Sequence, residues 1–554
     1  MKLDKNIPQV SVKTPVTTEK HTKKTTKIAE TVSLNAGKIP SGAAYRAMLG
    51  IQTAQEKPLE IPEFDFKTAD DYVRNTPIMG HVSKTEIDRL VDVLCSKTED
   101  AANAKMHLDL IKSGDISPKS VMHYWADGKM NEHLVKDMRM ITEAREAGKN
   151  VADVYVPTLK TPEEGVSKRE IGDVFEVEGS KNIYVKTDES SAKQLKMDKE
   201  MFVKLFPPAQ KFVTQQQNIG DCYLVSTLGS VMNNPKARVA LYDAFEQNGK
   251  DVTVKFKNGF GEYKYENAEL PQSRVKDYGV NGSMGIKILE DAYGLDSVNK
   301  ADTMFRKIMN NKIAKKEQQV QEATGSEKEK LQKILDGHKQ RLNDYIEAKN
   351  DKSRQIVVCR DDNKFNIYYE EDKYGLKFKD LKNDPDNRKY GYKSEADFYR
   401  GSLGGYEFEV LQRLGFGGFR QMNLKYDRQE VEKLMEKNDF NSNYIMTGGT
   451  KSSLLGIESE LDSDKGLYAF HAYTLEPKKD GNELKISCTN PWNTAYKADI
   501  SLKKFFRNYD SVSIVDINSY GKNLPLEEQP IKYGKHGPIT GWHKSDTPVV
   551  WYVK

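Results

Sequence analysis

The chain is poor in cysteine: 4 among 554 residues, at Cys95, Cys222, Cys359 and Cys488. Such scattered positions support neither a disulfide framework nor a zinc site, so each cysteine is judged by its own surroundings. Long apolar runs are also missing. No stretch approaches the roughly 20 apolar residues of a helical bilayer crossing, and the start of the chain lacks a secretory-type apolar segment. The expectation is a cytoplasmic protein with no membrane span. Charge of one sign is scarce as well, because 86 basic and 82 acidic residues leave a net charge of only +4. That balance offers no general attraction to nucleic acid. No internal repeat occurs. What remains is 37% hydrophobic and 30% charged, a composition suited to a globular protein of several domains.

Residues 1–60 are rich in Lys, Thr, Ser and Pro and read as a basic, disordered leader. Residues 61–150 read as a helical domain. Ser83 and Glu86 have capping-box spacing, and Ile87, Leu90, Val91 and Leu94 recur on one helical face. Residues 151–205 change to short β-type runs such as Asp173-Val-Phe-Glu-Val and Asn182-Ile-Tyr-Val-Lys. Residues 301–395 read as an insertion built on a charged helical hairpin, with a break and a new N-cap at Thr324-Gly325-Ser326. That hairpin is either a protein-partner site or a solvated insertion.

The stretch Gln216-Gln-Asn-Ile-Gly-Asp-Cys222 places a cysteine where a glycine turn meets a helix start. Gly220 allows a tight turn and Asp221 is a good N-cap, which sets Cys222 in the first helical turn. Unpaired N–H groups and the helix dipole there favour a thiolate nucleophile. Gln216, six residues upstream, is a candidate to hold a carbonyl oxyanion together with the Cys222 backbone N–H.

A thiol nucleophile needs a base. His471 lies in the strand-like run Gly466-Leu-Tyr-Ala-Phe-His-Ala-Tyr-Thr-Leu475, and a second strand, Leu484 to Asn490, follows. A hairpin turn at Asp480-Gly481 sets Asn490 directly opposite His471, where its amide oxygen can fix the imidazole tautomer. The alternative is a core histidine in a hairpin.

Three stretches in order, Gln216 to Leu224, Phe470-His-Ala-Tyr473 and Thr489-Asn-Pro-Trp492, resemble the cysteine, histidine and asparagine boxes of the calpain-type cysteine peptidases. The resemblance covers about residues 205–520. It implies an α+β, papain-like core with two subdomains. Residues 206–300 and 396–430 would form the helical Cys subdomain and 431–525 the β-rich His/Asn subdomain, with 526–554 as a C-terminal segment. By the same resemblance Cys222 is the nucleophile, His471 the base and acid, Asn490 its orienter, Gln216 the oxyanion donor and Trp492 a cover over the His–Asn bond. Phe470 and Asn493 stand where the family has glycine, and the family's second tryptophan has no counterpart. The implied activity is endopeptidase hydrolysis of protein or peptide substrates. A thiol amidase or transglutaminase-like enzyme, or a non-catalytic scaffold, could carry the same residues.

No cofactor is needed for that chemistry. Calcium-responsive members carry an acidic residue shortly before the glutamine of the cysteine box, whereas here the approach reads Lys211-Phe-Val-Thr-Gln-Gln216. The cysteine subdomain is therefore expected to bind no calcium at this position and catalysis to survive chelation. Glu458, Glu460, Asp462 and Asp464 form an acidic stretch ahead of His471 that is either a cation site or a solvated loop.

Overall fold

The computed structural model describes residues 60–522 apart from 79, 81, 119–131, 218–219, 272–278, 351–355, 362–363, 370–404, 452–459, 463–466, 470 and 482, together with 532–533 and 549–553. The chain divides into Met1–Glu56 and Lys57–Lys554. The first unit, and so nearly all of the expected leader, lies outside the described residues. The second is of mixed α+β class.

Its helical part begins with α1 (Phe66–Arg74), α2 (Lys84–Leu94) and α3 (Glu99–Lys112). The start of α2 is fixed locally. Ser83 Oγ accepts the Glu86 N–H at 3.3 Å and the Glu86 carboxylate accepts the Ser83 N–H at 2.6 Å, satisfying two amides that the helix leaves open. Ile87, Leu90, Val91 and Leu94 pack with Ala69, Val73 and Leu108 into one core. α4 (Glu132–Glu146) buries Leu134, Met138 and Ile141, and α5 (Val151–Tyr155) follows. A four-stranded sheet comes next and contains both predicted runs, Val174–Val177 and Ile183–Lys186.

Strand β1 (Thr214–Gln215) pairs with β2 (Asn281–Gly282) and leads to α6 (Cys222–Asn233). Every residue from Tyr223 to Met232 is buried, so α6 is a central helix rather than one with a single apolar face. Its hydroxyls are satisfied internally: Thr227 donates to the Tyr223 carbonyl at 2.7 Å and Ser230 to that of Ser226 at 2.9 Å. A Cβ at Gly229 would lie 2.6 Å from Thr214 Oγ1. Glycine there is what lets β1 cross α6 so closely.

The helix that carries Ile288 to Tyr293 and the first arm of the charged hairpin are one element, α7 (Met284–Glu322), 39 residues long. It runs unbroken through residue 300, where the sequence suggests a boundary, because no proline interrupts it. α8 (Gly325–Asn350) returns after the expected break. The hairpin is held at its base, where Tyr345 meets Phe305 edge-on at 4.8 Å and hydrogen-bonds Asp302. Much of the expected insertion beyond it, 370–404, lies outside the described residues.

After α9 (Glu407–Leu414) come β3 (Phe419–Asn423), β4 (Tyr444–Thr450), β5 (Ala472–Asp480), β6 (Glu483–Asn490), β7 (Asn493–Ser501), β8 (Tyr509–Asp516) and β9 (Lys532–Tyr533). They form one sheet in the order β7-β6-β5-β4-β8-β3-β9. One face packs a core that includes Met446, Leu475, Ile486, Ile500, Phe505 and Val512. The other receives α6: Thr474 Oγ1 donates to the Ser226 carbonyl at 2.8 Å and lies 3.2 Å from Ser230 Oγ.

The β5–β6 hairpin has a different register from the one expected. Thr474 pairs with Thr489 and Asp480 with Glu483, whereas a turn at Asp480-Gly481 would have set Thr474 against Ser487. The turn is centred on 481–482, with Gly481 at φ +62°. Two-residue hairpin loops want a positive φ at their first central position, and glycine adopts it freely. His471 and Asn490 are therefore not directly opposed. A shift of two residues leaves each on its original face, because side chains alternate with period two.

Candidate active site

His471 sits just before β5 and Asn490 ends β6, at a register shift between Thr489 and Asn490. The irregularity re-aims the asparagine. Its Oδ1 lies 2.8 Å from His471 Nε2 and accepts the backbone N–H of Trp492 at 2.9 Å. A backbone N–H can only donate, which identifies this atom as oxygen. His471 Nε2 must then be the protonated nitrogen, leaving Nδ1 as the proton acceptor. The Trp492 ring packs on the imidazole with centroids 4.1 Å apart, and Tyr473 meets it edge-on at 5.0 Å.

The backbone of His471 is fixed by a residue that sequence reasoning missed. Thr450 Oγ1 accepts the His471 N–H at 3.0 Å, and the Thr450 N–H donates to the His471 carbonyl at 2.9 Å. No local signal marks Thr450. It reaches the site only because β4 runs beside β5.

Cys222 occupies the first turn of α6, as expected. Asp221 holds the N-cap position, yet its side chain makes no capping bond; with ψ at 28° the residue is not in the extended conformation that aims an N-cap side chain at the first turn. Gly220 lies in the exposed bend before it. The thiol is not pre-ionised. Cys222 keeps some accessible surface, but protein crowds its sulfur, and burial pushes the thiol up to about 12. The N–H of Ala472, the residue after His471, is directed at the thiol and works against that shift, while the carboxyls of Glu407 and Asp221 add to it. Desolvation thus outweighs the helix terminus, contrary to the expected thiolate. Glu407 begins α9 and is also buried, with burial raising its carboxyl to about 7. His471 is 2% exposed and burial lowers it to about 4. Burial thus favours the uncharged form of both groups.

Gln216 is buried and tied to the asparagine loop, its N–H donating to the Pro491 carbonyl at 2.8 Å. The neighbouring Gln215 amide donates to the Trp492 carbonyl at 3.0 Å. Residues expected to act together from sequence positions 216, 222, 471, 490 and 492 are thus joined by α6, β5, β6 and the β1 strap. A small space with room for about one water lies beside this junction, between α6 and the sheet, bordered by Phe212, Thr214, Ser226, Thr474, Thr489 and Lys497. Among the described residues no group of three or more His, Cys, Asp and Glu is placed to hold a metal ion. Glu458 and Asp464 of the acidic stretch lie outside them, whereas Glu460 and Asp462 are in a short strand. No helix among the described residues is long and apolar enough to cross a membrane.

Two histidines, His107 on α3 and His471, are at most 2% exposed, and burial lowers them to about 3 and about 4. Below their ordinary value of 6.5 the unfolded chain binds protons that the folded chain refuses. Their contribution is complete above pH 6.5 and declines as pH falls towards 4. At pH 5 each should cost about 2 kcal/mol. Urea unfolding at pH 7 and pH 5 is expected to show the loss, and an unchanged midpoint would contradict it. No protein-family model matches the chain, and no curated protein sequence matches it.

Proposed function

We propose that the chain is a cysteine endopeptidase of the calpain type, with a papain-like core split between the α6 and β5–β6 regions. The observation that carries this reading is that the Cys222 thiol, at the start of a buried helix, meets the N–H of Ala472, the residue after a His471 whose tautomer is set by Asn490. Nδ1 of His471 takes the thiol proton as sulfur attacks the peptide carbonyl. The oxyanion is held by the Gln216 side-chain amide and the Cys222 backbone N–H. The imidazolium then protonates the leaving amine, and water hydrolyses the thioester with His471 again as base. The uncharged forms that burial favours suit this sequence, since proton transfer accompanies attack.

The reading is tested by incubating the full chain with an unfolded protein and sequencing new amino termini. Their release, together with labelling of Cys222 by a thiol-directed activity probe, is the expected result. Acyl transfer to added amines without new termini would favour a transglutaminase-like enzyme, and no probe labelling would favour a scaffold. Asn490→Ala should lower kcat by roughly 10- to 100-fold, because it frees the imidazole tautomer without deleting the proton carrier. Steady-state kinetics on a fluorogenic peptide would expose the opposite outcome, a loss as large as that of His471→Ala.

A further inference from the structure

A cluster of buried polar groups lies between the helical part and the cysteine loop, and the reaction just described does not use it. Asp137, in the middle of α4 and 7% exposed, accepts the Ala209 backbone N–H at 2.8 Å. Its carboxylate also lies 3.3 Å from the ammonium of Lys211, which is 5% exposed. Lys211 donates in turn to Tyr155 Oη on α5 at 2.7 Å, and Tyr155 donates to the Phe206 carbonyl at 3.2 Å. His133 of α4 stacks on Phe212 with centroids 5.4 Å apart. The segment 206–212 is thus gripped by three side chains of α4 and α5.

The grip holds a conformation that the segment would not choose. Ala209 has φ +64°, a left-handed geometry that costs a residue with a side chain roughly 1–2 kcal/mol, and the bond to Asp137 is made by that residue's own N–H. Burial pushes Lys211 down to about 8 while the Asp137 carboxylate opposes that shift, so the carboxylate keeps the buried cation charged at neutral pH.

Little slack separates this cluster from Gln216. Val213 N–H donates to the Gln210 carbonyl, Thr214 and Gln215 are paired in β1, and Gln216 N–H is bound to Pro491. A Cβ at Gly282 would lie 2.3 Å from the Val213 carbonyl oxygen, so the strap runs close against β2. One end of the strap is set by the asparagine loop and the other by α4.

We propose that Asp137 is a positioning residue for Gln216: through Ala209 and Lys211 it fixes the strap carrying the oxyanion donor, making the helical part a working portion of the catalytic unit. The inference rests on the peptidase reading for its effect on rate. Its geometric half is separate.

In the full chain, Asp137→Ala is expected to lower kcat for a fluorogenic peptide by roughly 10- to 100-fold, with KM within about threefold. Asp137→Asn, which retains an oxygen for Ala209, should recover part of the loss and supplies the comparison if the alanine variant does not fold. Alkylation of Cys222 by iodoacetamide requires no oxyanion donor and should keep its wild-type rate. In a Gln216→Ala background, Asp137→Ala should cost less than about twofold more, since the residue it serves is gone. An equal fold-loss in both backgrounds would overturn the proposal, as would slowed alkylation. A wild-type chain that hydrolyses no peptide would remove the peptidase reading alone. The clamp is then decided by amide hydrogen exchange over Ala209–Gln216, which Asp137→Ala should speed by about tenfold or more and Asp137→Asn by a smaller factor; exchange unchanged in both variants overturns it.

Discussion

Replacing Cys222 by alanine is expected to abolish peptide hydrolysis, lowering kcat by about 10⁴-fold or more, while the folded chain persists. The change removes a single sulfur atom from a residue that keeps some accessible surface at the start of α6, so it leaves little cavity, and the rest of the helix keeps its hydroxyl bonds and close packing. His471→Ala should be nearly as damaging. Without Nδ1 there is no acceptor for a thiol proton that burial holds at about 12, and the thiolate population at neutral pH is negligible. The double variant should be little worse than either single one, because the two groups act in the same step. Kinetics of the three variants on one peptide check this. Multiplying losses would show that Cys222 and His471 do not share a mechanism.

The largest expected loss of stability lies at α9. Arg413 and Asp296 are 2% and 0% exposed and pair at 3.1 Å. Asp296 also accepts the Phe260 N–H at 2.6 Å and the Tyr263 hydroxyl at 2.9 Å, while Arg413 donates to Ser297 Oγ at 2.9 Å and its guanidinium lies 4.6 Å from the Tyr293 ring centroid. The pair ties α9 to α7 and to the loop before Tyr263. Asp296→Ala leaves a buried cation without its counter-charge, which should cost about 3–5 kcal/mol, a large share of the roughly 5–15 kcal/mol of a typical domain. Removing both charges with Asp296→Leu and Arg413→Met should cost much less. Urea denaturation of the single and double variants tests this, and a double variant as unstable as the single one would show that packing, not the unpaired charge, sets the loss.

How much of this was legible beforehand depends on the range of the interactions involved. The Ser83–Glu86 cap, the α2 apolar face, the two short β runs and the break at residue 324 are decided by residues a few positions apart, and sequence periodicity states them directly. The face shared by His471 and Asn490 was also legible, because strand alternation survives an even shift; the register was not, because it turned on which residue of the 480–482 segment takes a positive φ. The continuity of α7 through residue 300 is not legible, because the sharp change in composition there is a change in solvent exposure with no break in the backbone.

By itself the sequence determined which chemical groups are available and where they sit along their own elements: a cysteine opening a helix, a histidine entering a strand, an asparagine closing the next and a glutamine upstream. Tertiary structure decided their protonation and their alignment. Burial pushes the thiol up and the imidazole down, against the expectation from the helix terminus alone. Thr450 fixes the His471 backbone, and Asp137 grips the strap before Gln216 at Ala209, across separations of 21 and 72 positions. Desolvation and such long-range bonds depend on which distant segments come together, and no local pattern encodes that.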